Sequence, residues 1–240
     1  LGPVMWVLLS ELYPLKYRKA LDEAWLAELG SEEFPSELVD KRIALGLDGS
    51  KQWMLIGGPP CQAYSMAGRS RVGGINPEDH RVFLYKEYLR IIAVHAPAVF
   101  VMENVKGLLS AKVNNENVFD WILRDLRNPK SVFPEGLEHN YKIYSLSTPY
   151  AELDQNGQPI YDKKRDFLIK SEKYGVSQKR HRVILLGVRN DINITPGILQ
   201  KVDEVKLKDV IGDLPKLRSG ISKSILKSEI IEGKRKRVYK

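Results

Sequence analysis

Trp53-Met54-Leu55-Ile56-Gly57-Gly58-Pro59-Pro60-Cys61-Gln62-Ala63-Tyr64-Ser65 decides the fold. An apolar run ends abruptly in Gly-Gly-Pro-Pro, and the only cysteine of the chain follows. A short apolar run bounded by such residues reads as a buried strand. A strand that breaks into a rigid loop presents the Cys61 thiol at its carboxyl end. Ligands of open α/β sheets bind at that edge. A thiol is also the side chain most easily made nucleophilic near neutral pH.

Working outward, Ala98 to Met102 forms a second apolar run that leads into Glu103-Asn104-Val105. Tyr141 to Leu146 and Val183 to Val188 read as further strands. Between the first two runs, Asp79 to Ala96 looks helical, with Val82, Tyr85, Leu89, Ile92 and Val94 as its apolar face and a stop at Pro97. Asn117 to Leu126 reads as another helix. Strands alternating with helices predict an α/β fold with a mostly parallel, doubly wound sheet. Upstream, Val4 to Ala27 has helix-like spacing interrupted at Pro14, and Glu32 to Ser50 reads as irregular structure with a short helix. Gly57 to Glu78 reads as a long loop, and loops of that length are usually functional or disordered. Asp154-Gln155-Asn156-Gly157-Gln158 is a hairpin tip. A short helix is expected near Leu207 to Leu214, and Lys234-Arg235-Lys236-Arg237 reads as a solvated tail or a phosphate contact.

The chain has 240 residues, 43% hydrophobic and 28% charged, which is ordinary for a globular domain or a domain with an appendage. Its formal charge of +8 favours an acidic partner, nucleic acid first. No apolar run approaches the roughly 20 residues that span a bilayer. The apolar amino end lacks a basic leader and a cleavage site, so it is not read as a signal peptide. A single cysteine excludes an internal disulfide and a cysteine-based zinc cluster, and it fits a reducing, cytoplasmic setting.

Three short blocks flank predicted strands: Pro60-Cys61-Gln62, Glu103-Asn104-Val105, and Gln178-Lys179-Arg180-His181-Arg182. If these strand ends share one edge, a thiol, a carboxylate and two guanidinium groups converge in one cleft. In this order and spacing the blocks resemble those of the DNA-modifying cytosine methyltransferases that act at carbon 5. Tyr174-Gly175-Val176 before the third block and Asp209 to Pro215 after it extend the likeness, which covers about Trp53 to Pro215.

The resemblance implies a Rossmann-like, S-adenosylmethionine-dependent methyltransferase fold and methyl transfer from that donor to cytosine in double-stranded DNA. It implies a restriction–modification setting, no metal and a monomer. It implies that Cys61 adds to carbon 6 of a cytosine rotated out of the duplex, and that carbon 5 then takes the methyl group. A free thiol of pKa about 8.5 is only a few per cent ionised near pH 7, so a cationic neighbour such as Arg182 would raise the thiolate share. In the resemblance Glu103 holds nitrogen 3 and one of Arg180 and Arg182 contacts oxygen 2. Alternation lets both arginines face the cleft, with Lys179 and His181 facing away. Gln178 braces this block, Asn104 shapes its loop, and His181 reads as a surface residue. The loop Gln62 to Ile75 is the expected mobile element. Base flipping costs a few kcal/mol, and Gln62, Ser65, Arg69, Arg71 and Gln178 are the expected DNA contacts. For the donor only Pro60 carries over.

The sequence also departs from the family pattern. Nothing before Trp53 matches a Phe-x-Gly-x-Gly donor loop. The catalytic domain is expected over residues 1–215, and residues 216–240 as the start of a target-recognition region or a basic tail. The chain is expected to be incomplete at both ends. Rival readings are an RNA cytosine methyltransferase, an inactive nucleic-acid-binding regulator of another methyltransferase, and, more distantly, a thiol hydrolase.

Overall fold

The structure is a computed structural model that describes residues 3–59, 85–113, 115–215, 225–231 and 234–239. The chain divides into two compact units, Leu1–Glu204 and Val205–Lys240.

The first unit is built on a five-stranded sheet. Strands β1 (Met54–Gly57), β2 (Val99–Val105), β9 (His181–Arg189) and β5 (Tyr141–Tyr144) lie side by side in that order. The short β8 (Leu168–Lys170) pairs with the start of β9. β1 and β2 are parallel, whereas β9 is antiparallel to β2, β5 and β8. Four strands therefore point one way and β9 alone is reversed, which agrees with the mostly parallel sheet expected from the sequence. Small two-stranded ladders pair β3 (Lys112–Val113) with β4 (Glu116–Asn117), and β6 (Glu152–Leu153) with β7 (Pro159–Ile160). The β6–β7 ladder is the hairpin that the Asn-Gly tip predicts. Asp154 accepts there from the backbone N–H groups of Asn156 and Gln158 at 2.8 Å each.

Strand β2 sets the faces of the sheet. Phe100, Met102 and Asn104 are buried, while Val99, Val101, Glu103 and Val105 are only partly so. That alternation is the two-residue period of a strand with one sealed face. The sealed face packs Phe100 and Met102 with Ile143 of β5, Val183 and Leu185 of β9, and the apolar stripes of two helices. Helix α4, described over Tyr85–His95, contributes Tyr88, Leu89 and Ile92; helix α5 (Val118–Arg127) contributes Val118, Phe119, Ile122 and Leu126. Asn117 caps α5 by accepting from the N–H groups of Phe119 and Asp120, so the helix starts where its sequence predicts. Tyr88 donates to the carbonyl of Val101 at 2.9 Å and reaches that of Leu55 at 3.3 Å, tying α4 to β1 and β2. Burial pushes its phenol well above the usual range, so it stays a donor.

Upstream helices α1 (Pro3–Leu12) and α2 (Pro14–Glu23) break at Pro14, as expected. Helix α3 (Ser36–Leu47) is longer than the short helix expected there. Its Asp40 accepts from buried Arg90 at 2.9 Å and lies 2.8 Å from His95, which docks α3 on α4. The second unit holds helix α6 (Leu207–Ile211) and an antiparallel ribbon of β10 (Ile225–Ile231) and β11 (Lys234–Tyr239). The Lys234–Arg237 run expected as a tail is thus strand backbone, with Lys234 in register with Ile231. None of the described helices is long and apolar enough to cross a membrane.

Phe100 faces Gly187 across the β2–β9 ladder. A Cβ on Gly187 would lie 2.2 Å from that fully buried ring. Gly187→Ala should therefore overpack the core and cost about 1–3 kcal/mol, read as a lower urea midpoint at unchanged m-value.

Candidate functional site

The reversal of β9 builds the site. Its amino end meets the carboxyl end of β2, with Val105 opposite Arg182 and Glu103 opposite Ile184. Glu103 and Arg182 are then diagonal neighbours on the half-open face of the sheet, a separation that long side chains bridge. Arg182 Nε lies 2.6 Å from Glu103 Oε1, in side chains 25% and 40% exposed. The N–H is not aligned on that oxygen, so the contact is ionic. The Nη1 group donates instead to the His181 carbonyl at 2.9 Å.

Gly58, just past β1, closes the other side. A Cβ there would lie 3.2 Å from Glu103 Oε2, a tight approach that the carboxylate would have to yield to by a few tenths of an ångström. Gly57 is tighter still, because a Cβ would lie 2.6 Å from the Tyr88 ring. Both glycines read in the sequence as strand-ending punctuation, and their packing roles depend on neighbours far along the chain. Asn104 is buried and its Oδ1 accepts from the Val105 N–H at 2.8 Å, the loop-shaping role expected of it.

The structure thus brings Glu103 to Arg182. Arg180 directly precedes β9, and its N–H donates to Ser171 Oγ and the Gln178 carbonyl at 2.9 Å each. Ser171 Oγ also donates to the Gln178 carbonyl. Gln178 therefore braces the block through its backbone. The side chains of Arg180 and Gln178 are exposed, and neither forms an ion pair or hydrogen bond among the described residues. Pro60, Cys61, Gln62, Ser65, Arg69 and Arg71, and with them the loop Gln62 to Ile75, lie outside the described residues.

His181 differs from its expected place on the surface. Its Nε2 sits 2.8 Å from Glu172 Oε1, with side chains 30% and 12% exposed. A turn over Ser171–Tyr174 folds Glu172 back against β9, a contact that spacing alone does not announce. Beside β1 opens a largely apolar pocket of about 450 Å³, walled by Leu29, Leu55, Ile56, Tyr88 and Ile91 and floored by Gly57, Gly58 and Pro59, with Glu28 and Glu87 also at its lining. No group of three or more histidine, cysteine, aspartate or glutamate side chains fit for a metal occurs among the described residues.

Residues 37–130 and 134–239 match the family of C-5 cytosine-specific DNA methylases. The chain is 33% identical over 208 residues to the Type II methyltransferase M.FnuDI of Fusobacterium nucleatum, covering 85% of this chain and 45% of that protein. It is 34% identical over 171 residues to the Type II methyltransferase M.Bpa9945I of Bacillus paralicheniformis, covering 69% of this chain and 33% of that protein. The chain therefore spans less than half the length of these relatives. The solved structure of the Entamoeba histolytica methyltransferase EhMeth aligns with a TM-score of 0.42 at 16% identity, covering 78% of this chain and 45% of that one.

The Glu172–His181 pair makes a pH-dependent contribution. His181 beside it holds the Glu172 carboxyl below the usual range. A carboxyl whose folded pKa lies below its unfolded value of about 4.3 stabilises the fold above that value and loses the contribution as pH falls through the folded pKa. The urea midpoint of the wild type should exceed that of Glu172→Gln at about pH 6, and the gap should shrink below about pH 4. A gap independent of pH would contradict the pairing.

Proposed function

Since the chain belongs to the C-5 cytosine-specific DNA methylase family, we propose that it carries the nucleophile and base-holding residues of an enzyme that methylates carbon 5 of cytosine in DNA. The observation that carries this reading is the Glu103–Arg182 pair beside Gly58, which follows β1 and precedes Cys61 by three residues in the sequence.

In the proposed reaction the Cys61 thiolate forms a bond to carbon 6 of an extruded cytosine. The electron pair displaced from the ring's double bond collects at carbon 5 and is delocalised towards nitrogen 3 and oxygen 2. Glu103 holds nitrogen 3 through a shared proton, and a guanidinium of Arg180 or Arg182 holds oxygen 2. Arg182 already leans on Glu103, so the carboxylate and the cation are placed before the base arrives, which avoids reorganisation during the reaction. Once carbon 5 has taken the methyl group, the methyl–sulfonium bond of the donor breaking to leave a neutral thioether, a base removes the carbon 5 proton and the electrons expel the thiolate. Extrusion costs a few kcal/mol, and phosphate contacts from Ser65, Arg69 and Arg71, with Gln62 and Gln178 as further DNA contacts, are the proposed compensation.

S-adenosylmethionine is the methyl donor implied by the family, and when bound it supplies the electrophilic methyl group. The pocket floored by Gly57, Gly58 and Pro59 suits part of it: apolar walls accept a flat base, and Glu28 and Glu87 offer acceptors for hydroxyl groups. Pro60 is the proposed backbone contact between the donor and Cys61. We assign residues 1–215 to the catalytic domain and residues 216–240 to the start of target recognition. A monomeric cytoplasmic protein of a restriction–modification system fits the reading, given the relatives named as Type II methyltransferases.

A duplex containing 5-fluorocytosine tests the chemistry, because fluorine blocks the final elimination and leaves the protein bound to DNA. With S-adenosylmethionine present, the full-length protein should form an adduct that resists denaturing electrophoresis. Cys61→Ser should abolish the adduct and methyl transfer while duplex binding persists. Glu103→Gln should slow transfer by about 10²-fold or more. Donor and duplex binding without an adduct would point to a catalytically inactive relative. Equal labelled-methyl transfer to structured RNA would contradict the preference for DNA.

A further inference from the structure

Arg182 sits at a strand end that its own ladders hold weakly. The ladder with β2 stops at Arg182, opposite Val105, and the ladder with β8 stops one residue upstream, at His181 opposite Lys170. Strand ends open locally unless other contacts hold them. The turn Ser171–Tyr174 supplies those contacts. The Ser171 N–H donates to the Arg180 carbonyl at 3.2 Å, and the Arg180 N–H donates to Ser171 Oγ at 2.9 Å. Ser171 Oγ donates in turn to the Gln178 carbonyl.

These bonds join neutral groups. The one contact between a carboxylate of the turn and a basic side chain of the strand, among the described residues, is Glu172 Oε1 to His181 Nε2 at 2.8 Å. Glu172 is buried, and its Oε2 has no hydrogen-bond partner. A buried carboxylate is costly unless it is paired and hydrogen-bonded, so the turn depends on its grip on His181. That hydrogen bond keeps the Glu172 carboxyl below the usual range, and it stays ionised at neutral pH. Lys170, opposite His181 in the ladder, and Lys179 are the other charged groups beside the pair.

Alternation puts the His181 side chain on the face of the sheet opposite that of Arg182, so Glu172 acts on Arg182 through the backbone. Arg182 Nη1 donates to the His181 carbonyl at 2.9 Å, while its Nε lies 2.6 Å from Glu103 Oε1. The residue that Glu172 grips by its ring therefore offers, by its carbonyl, the acceptor that aims the guanidinium. We propose that Glu172 and His181 are positioning residues for the cytosine chemistry: from the far face of the sheet the pair fixes the His181 backbone, and with it the setting of Arg182 against Glu103. This rests on the reaction proposed above and assigns it two residues that touch neither base nor donor.

The test is a double-mutant cycle in methyl transfer by the full-length protein, with Glu172→Gln, Arg182→Gln and the two together. Glu172→Gln should lower kcat about 10-fold, since a displacement of about 1 Å in a reacting site can cost about 10²-fold. The duplex Kd and the KM for S-adenosylmethionine should stay at their wild-type values, because the role of Glu172 is confined to Arg182. In the Arg182→Gln background the same substitution should lower kcat no further, as expected of residues that act as one unit. Lys173→Gln removes the Lys173–Glu204 ion pair from the same turn and should leave kcat unchanged. Equal losses of kcat in the two backgrounds, with the 5-fluorocytosine adduct forming in the wild type, would overturn the positioning role and leave the cytosine chemistry standing. A Glu172→Gln variant that melts at a lower Tm but keeps full kcat while folded would do the same. A wild type that binds donor and duplex yet forms no adduct would overturn both.

Discussion

The contact between Arg182 and Glu103 organises the site, and it exists only because one strand runs against the others. Had β9 been parallel to β2, its basic amino end would lie at the far edge of the sheet, several strand residues from Glu103. Reversal places it one diagonal step away, on the face left half open by the pleat. The cation is held by sheet register, so its position depends on the ladder and its core more than on the ion pair. This explains why Gly187 and Phe100, buried in mid-strand, belong to the account: they let β9 approach β2 closely enough to hold the pair in register.

Much of this was legible in the sequence because it is local. Apolar runs announced β1, β2, β5 and β9 within a residue or three, and Pro14 and Pro97 marked breaks that the structure keeps. Capping by Asn117 and the Asp154 turn are likewise local chemistry. The blocks around Cys61, Glu103 and Arg182 were recognisable by order and spacing. Helix α3 is longer than its sequence pattern suggests, since its apolar positions Val39, Ile43 and Leu47 are interspersed with charged residues and Gly46.

What stayed hidden depends on contacts between distant segments. Nothing in Val183 to Val188 says which way the strand runs, because a buried strand has the same pattern in either direction. Glu172 finds His181 through a turn whose fold is set by its neighbours.

The most direct measurement is a double-mutant cycle in urea unfolding with Glu103→Gln, Arg182→Gln and the pair. If the reversed strand sets these side chains against each other, the singles are not additive, and the partly exposed pair shows a coupling of about 0.5–1 kcal/mol. Strict additivity, with the double variant losing the sum of the two singles, would mean that Arg182 does not meet Glu103 and that the site is not built as described.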